Sequence, residues 1–262
     1  MSGRCPMTEP SPEGYDIAFQ AAEHPLMREL VSRAYGEDVP GEVDPFSSCT
    51  WWTLGQMIAA LRLQAGAQLV DLGCGRGGPG LWLARATSAR LIGVDFSPVA
   101  VRLASARVAE FVPAGRAAFR VGRFDDTGLP DAVADGVISV DALPFAPDRR
   151  AALIELHRIM APGARAVLTI AESSGEDQTK VGTWSTWLSH FDAAGLRLER
   201  RLDDLGRNER WFALYDLWHE HEADLRAAIG GPATDKLIEE ADSSDRLHRR
   251  RPVLLVLRRP GT

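Results

Sequence analysis

Apolar residues recur at spacings of three and four over residues 15–35 and again over 50–63, with a turn-rich stretch at 36–45 between them. That spacing places the apolar positions on one face of a helix, so two helical segments are predicted. After Ala65-Gly66 the period changes. Short apolar runs at 68–72, 90–95, 117–122, 136–141, 165–171, 196–203 and 252–259 alternate with amphipathic segments at 79–86, 98–110, 148–160 and 182–194. Such alternation predicts an α/β protein, seven strands in a parallel sheet with crossover helices. Ser97-Pro98 and Asp148 supply helix-start signals. The last two strands are separated by about fifty residues that read as two further helices, 208–229 and 234–245, much longer than an ordinary connection. Residues 1–14, rich in Pro, Ser, Glu and Gly without an apolar period, predict a disordered leader. The expected organisation is a leader (1–14), an N-terminal helical cap (15–64), an α/β ligand-binding domain (65–206 with 250–262) and a helical lid insertion (207–249).

The 262 residues hold 30 basic against 36 acidic side chains, a formal net charge of −6, which leaves no positive excess for nucleic acid or an anionic membrane. The basic set is 28 Arg and 2 Lys, a skew that reflects GC-rich codons rather than function. Cys5, Cys49 and Cys74 are an odd count without CxxC spacing and build neither a disulfide framework nor a thiolate zinc site. No apolar run approaches the ~20 residues of a membrane span, and the N-terminus lacks the apolar stretch of a secretion signal. A cytoplasmic location is the expectation; oligomeric state is not readable. His219 and His221 stand two apart, on different faces of a helix, so no metal site is expected.

The strongest local signal is Val70-Asp71-Leu72-Gly73-Cys74-Gly75-Arg76-Gly77-Gly78, a strand entering a glycine-rich turn and then a helix. Glycine at such a turn lets the backbone approach a ligand without a Cβ clash, and the following helix offers unpaired N–H groups. Gly73, Gly75 and Gly78 also satisfy the GxGxxG spacing of a dinucleotide site, but Asp71 is unwelcome beside a pyrophosphate. A cationic ligand suits it better.

These residues resemble class I S-adenosylmethionine-dependent methyltransferases, whose acidic-x-Gly-x-Gly-x-Gly motif reads here Asp71, Gly73, Gly75, Gly77, with Cys74 inside the turn. The resemblance implies a Rossmann-like sheet and S-adenosyl-L-methionine as cofactor, leaving S-adenosyl-L-homocysteine as product. It also implies that Asp95, ending the second strand, accepts the ribose hydroxyls, and that Phe96 lies against the adenine face. In the third motif, at Gly122-Arg123-Phe124, Arg123 replaces the acid that commonly follows the glycine. An adenine amine cannot donate to arginine, so either Asp125 or Asp126 or the Phe124 backbone reads that edge. Asp141, ending the fourth strand, is expected to touch cofactor or substrate and is the candidate general base. The resemblance covers nearly the whole chain and looks closest to bacterial enzymes of natural-product type acting on small molecules.

Tyr15, Trp52, Trp184, Trp187, Trp211 and Trp218 lie in the flanking helices and are candidates to line a small-molecule pocket beneath the lid. The leading expectation is methyl transfer to an O, N or C atom of a small acceptor, with most of the rate coming from positioning. An alternative is a cyclase or decarboxylase that uses the cofactor without net transfer. A nicotinamide oxidoreductase is a third reading, against which the place of Asp71 and the lack of a Tyr-x-x-x-Lys pair both count.

Overall fold

The computed structural model describes residues 12–44, 47–173 and 182–261. In chain order the elements are α1 (Pro12–Ala21), α2 (Pro25–Tyr35), α3 (Trp51–Leu61), β1 (Gln68–Leu72), α4 (Gly78–Thr87), β2 (Arg90–Asp95), α5 (Pro98–Ala106), α6 (Val108–Phe111) and β3 (Ala117–Val121). There follow β4 (Ala134–Val140), α7 (Arg149–Ile159), β5 (Met160–Ser173), α8 (Trp184–Ala193), β6 (Arg197–Asp203), α9 (Arg207–Glu220), α10 (Glu222–Ile229), α11 (Gly231–Asp242) and β7 (Arg250–Arg258). Helix starts follow local chemistry. Ser97 Oγ accepts from Ala100 N–H and Asp148 Oδ1 from Ala151 N–H, each at 2.9–3.0 Å, and Thr50 forms a capping box with Thr53.

The seven strands form one Rossmann-like sheet in the order β3-β2-β1-β4-β5-β7-β6. The sheet is mixed: β7 runs antiparallel to both β5 and β6. A strand that starts at the edge where β6 ends has to run backwards. β5 is also longer than expected, because its first residue, Met160, pairs with Ala134, the register then shifting through extra residues in β5 before Arg165 meets Gly136. The expected helices at 98–110 and 208–229 are each broken once, at Arg107 and at His221.

Side chains alternate across the sheet as the pleat requires. In β1, Val70 and Leu72 enter the layer with α7 and α8, where Leu153, Leu156, Trp187 and Phe191 are buried, while Leu69 enters the layer with α3 and α4 beside Leu54, Met57 and Leu81. Asp71 therefore shares the α4 face. A third apolar cluster joins Leu30 and Tyr35 of α2 to Leu214, Tyr215 and Trp218 of α9, Leu225 of α10 and Ala241 of α11.

That clustering corrects the expected cap at 15–64. Its helices divide three ways: α1 packs on α5, α2 joins the lid helices, and α3 covers the sheet. Of the expected disordered leader, residues 1–11 lie outside the described residues and 12–14 belong to α1. Among the described residues no helix is long and apolar enough to cross a membrane.

Candidate functional site

The glycine turn is built by backbone bonds to β2. Gly73 and Cys74 N–H both donate to Val94 O, at 2.8 and 3.1 Å, and Gly75 N–H donates to Asp95 Oδ2 at 2.8 Å. Gly73, Gly75 and Gly77 have φ of 72°, 51° and 78°, a region that costs a side chain roughly 1–2 kcal/mol. A Cβ at Gly73 would also stand 2.4 Å from Ala142 Cβ and 3.0 Å from the Phe124 ring, so β1, β4 and the loop after β3 converge there. Cys74 contributes only backbone, its thiol being buried toward β2.

Asp95 is the hub of this half. Besides Gly75, its Oδ1 accepts from Ser97 N–H at 3.0 Å, so one carboxylate ties the β1–α4 turn to the β2–α5 turn. Asp71 is 2% exposed and its Oδ2 has no hydrogen-bond partner, facing α4 where a Cβ at Gly80 would meet it at 2.6 Å. Burial, and then the charge of Asp95, push the Asp71 carboxyl up to about 8. Burial raises Asp95 as well. The nearby cation of the loop, Arg76, is turned away to Glu23 and Asp44 and does not offset these acids.

Helix α1 forms the wall above them. The Phe19 ring lies over Gly75, Tyr15 meets Phe96 edge to face at 5.5 Å between centroids, and Asp16 accepts from Ser97 Oγ. Burial, aided by Glu240 and Asp95, raises the Tyr15 phenol to about 12, so it stays neutral. Gly122 N–H donates to Asp95 O at 3.0 Å, placing the start of the third motif beside the second. Arg123 points outward to Asp125, 3.0 Å away at the surface, which also spends Asp125; the Phe124 ring packs inward over Gly73.

Asp141 is the place where the structure departs most from expectation. It follows β4 at φ 54°, and its two oxygens accept from Ser48 N–H, Ser48 Oγ, Thr169 Oγ1 and Arg207 Nη2. Four donors fill the lone pairs of a carboxylate, and the Arg207 guanidinium at 2.7 Å neutralises its charge. The expected general base is therefore a strut, joining β4 to β5, to the segment before α3, and to the first turn of α9.

The tryptophans are also reassigned. Trp187 is 0% exposed under the sheet, stacked on Phe191, and Trp184 beside it lies beneath the Arg201 guanidinium. Trp211 and Trp218 pack with Tyr215 inside the helical cluster. Trp52 is 39% exposed at the start of α3. Of the six expected pocket residues, Tyr15 stands against Phe96, next to Asp95.

In their place the sheet edge gathers residues the sequence reading passed over. Arg207 donates to Asp141, Arg210 pairs with Asp204 and Asp38, and Tyr35 sits under Arg210 with 5.7 Å between guanidinium carbon and ring centroid. The available signal was position: Asp204 directly follows β6, Arg207 opens the lid, and ligands in such sheets sit beyond strand C-termini.

Residues 70–168 match a family model described as a methyltransferase domain. The chain is 30% identical over 166 residues to 27-O-demethylrifamycin SV methyltransferase of Amycolatopsis mediterranei, covering 62% of this chain and 60% of that protein. It is 33% identical over 134 residues to demethylmenaquinone methyltransferase of Lactiplantibacillus plantarum, covering 50% of this chain and 56% of that one. The matched region thus spans less than two thirds of either relative. Among solved structures, the [4+2]-cyclase SpnF superposes with a TM-score of 0.77 at 20% identity, covering 96% of this chain and 95% of that one. Phosphoethanolamine N-methyltransferase 2 of Haemonchus contortus, in complex with S-adenosyl-L-methionine, gives 0.70 at 16%, covering 89% of this chain and 56% of that one. Motif, sheet and family match agree on a methyltransferase domain at residues 70–168, similar to those of class I S-adenosylmethionine-dependent methyltransferases.

Proposed function

We propose that the protein transfers a methyl group from S-adenosyl-L-methionine to an O, N or C atom of a small-molecule acceptor, in secondary metabolism. The observation that carries this reading is the pair of buried acids, Asp71 with an unpartnered oxygen and Asp95, beside a glycine turn that has no Cβ at its closest approach. Two neighbouring carboxylates without a compensating cation favour a positively charged ligand and disfavour a pyrophosphate. The residues present fit the cofactor on that ground. Asp95 has lone pairs beyond its two backbone bonds for the ribose hydroxyls, Phe96 and Tyr15 offer an aromatic wall to the adenine, and the Phe124 backbone is the remaining reader of its edge. When bound, the cofactor supplies a sulfonium-activated methyl group; the chain's part is to exclude water and hold the acceptor in line. The relatives named as 27-O-demethylrifamycin SV methyltransferase and demethylmenaquinone methyltransferase support a small-molecule acceptor for this chain.

Calorimetric titration of the stripped protein with S-adenosyl-L-methionine, S-adenosyl-L-homocysteine and NADH tests the site. Saturable binding of the two sulfur nucleotides alone is expected, and binding of NADH alone overturns the reading. Mass spectrometry of products then separates transfer, which adds a methyl group, from a cyclase or decarboxylase on the same fold, which does not.

A further inference from the structure

Helix α3 carries no charged residue from Trp51 to Leu61. Its inner face is accounted for, since Leu54, Met57, Ala60 and Leu61 are buried with residues of the sheet and of α4. Its outer face is Trp51, Trp52, Gly55, Ile58 and Ala59, all exposed, with Arg62 at the end. A surface helix turns a charged or polar stripe to water, and one that is apolar all round is ordinarily covered on both sides. The patch also differs from the rest of the described surface. Three of the eight exposed large apolar side chains, Trp51 at 41%, Trp52 at 39% and Ile58 at 38%, stand on this one helix, whereas Ile17, Val121, Phe145, Ile154 and Leu205 are each alone on their own segment. Gly55 adds an independent observation. Glycine weakens a helix interior relative to alanine, yet a Cβ here would meet nothing within 4 Å. The chain's own packing does not call for the missing side chain; a backbone approaching from outside would.

The two ends of the patch indicate what covers it. At one end Trp51 meets Trp82 edge to face, 5.7 Å between centroids, and Trp82 Nε1 donates to Glu42 Oε1 at 2.8 Å. Glu42 leaves half of its side chain in water, and with one donor on each oxygen, Trp82 and Arg85, it has lone pairs to spare. That end is aromatic and acidic. At the other end Arg62 is exposed, and no ion pair among the described residues includes it. A cation is thus supplied about 17 Å, at 1.5 Å per residue, from the place that attracts one. Turned about a two-fold axis through the middle of α3, the patch complements itself: Trp51 and Glu42 come opposite Arg62 of the second copy, and Gly55 comes opposite Ile58 and Ala59.

We propose that α3 is a self-association surface, on which a second copy of this chain packs its own α3 antiparallel and across Gly55. The inference is independent of the methyl-transfer reading. A helix face of roughly 17 by 10 Å falls well short of the ~800 Å² per partner of a standard interface, so the pairing is a concentration-dependent equilibrium.

Sedimentation velocity of the full chain between about 1 and about 200 µM reads that equilibrium. Wild type is expected to pass from monomer to dimer in this range, with a dissociation constant on the order of 10 µM. Ile58→Glu, which puts a charge at the centre of the contact, and Gly55→Gln, which holds the helices apart, are each expected to raise the constant at least about tenfold. Arg62→Glu is expected to raise it about fivefold, and Glu42→Arg added to Arg62→Glu in the same chain to bring it back to within about twofold of wild type, a rescue that a role in folding alone would not produce. Circular dichroism and thermal melting of each variant ensure that loss of the dimer is read on folded protein. A wild type that stays monomeric to about 200 µM overturns the proposal, with or without binding to anionic vesicles, and so does a dimer whose dissociation constant neither Ile58→Glu nor Gly55→Gln moves. Failure of the charge rescue overturns the antiparallel arrangement.

Discussion

The two halves of the sheet edge are built in different ways. On the β1–β2 side, the site is held by backbone amides and one short-range carboxylate: Gly75 and Asp95 are 20 residues apart, Asp95 and Ser97 only two. On the β4–β6 side it is held by side chains from distant segments: Ser48 and Asp141 are 93 residues apart, Asp141 and Arg207 66, Asp38 and Arg210 172. The first half is a rigid mould for a ligand of fixed shape. The second is an assembly of ion pairs in which Asp141 and Asp204, after β4 and β6, are both held by arginines of α9.

The largest expected effect lies in the mould. Gly73→Ala places a Cβ at positive φ and 2.4 Å from Ala142, and Asp95→Ala leaves the Gly75 and Ser97 amides without their acceptor. Each is expected to weaken S-adenosyl-L-homocysteine binding by roughly 100-fold, about 2.7 kcal/mol, by calorimetry; unchanged affinity in both would remove the site assignment. In the second half, Asp141→Ala strands Arg207 and three other donors and is expected to cost about 3 kcal/mol in urea unfolding. Asp141→Asn is expected to retain much of that stability, and an equal loss in both variants would contradict the strut.

Acidity offers a subtler comparison. Burial opposes ionisation of Glu155, but hydrogen bonds from Arg158 and Thr127 outweigh it and hold the carboxyl down to about 2. With a folded value below the unfolded one, Glu155 stabilises the protein at neutral pH, and that contribution is lost as pH falls from about 4.5 toward about 2. Asp71 has the opposite sign. Its folded value of about 8 lies above the unfolded 3.8, so the ligand-free protein loses stability as pH rises between them. Thermal melts across pH are expected to show Glu155→Gln flattening the acid limb and Asp71→Asn the limb above it. The smallest effect is at the surface: Arg123→Ala should change stability by less than about 0.5 kcal/mol and S-adenosyl-L-homocysteine affinity by less than twofold, since its charge faces solvent and Asp125.

How much was legible in the sequence follows the same division. The strands at 68–72 and 90–95 coincide with β1 and β2 as observed, and the glycine turn lies where its spacing placed it, because those features are encoded within about thirty residues. Cap residues Ser97 and Asp148 were readable for the same reason. Arg207, Asp204 and Tyr35 were not, since each gains its role only when α2 and α9 pack together over the sheet edge. The packing of the tryptophans was not readable either, because residue type tells size and polarity but not face: Trp187 sits on the sheet side of α8, and Trp218 on the inner side of the helical cluster.

The antiparallel β7 has one more consequence, for the order in which the protein comes into being. It is paired on both sides, by β5 and β6, and its Val253, Leu254, Leu255, Val256 and Leu257 are all buried. During synthesis β6 emerges before its sheet partner β7, and β5 presents an unpaired apolar edge at Val167, Leu168 and Ile170 until β7 has been made. The lid helices are completed in that interval. The nascent chain is thus most prone to sticking to its neighbours in the interval between the synthesis of β5 and that of β7.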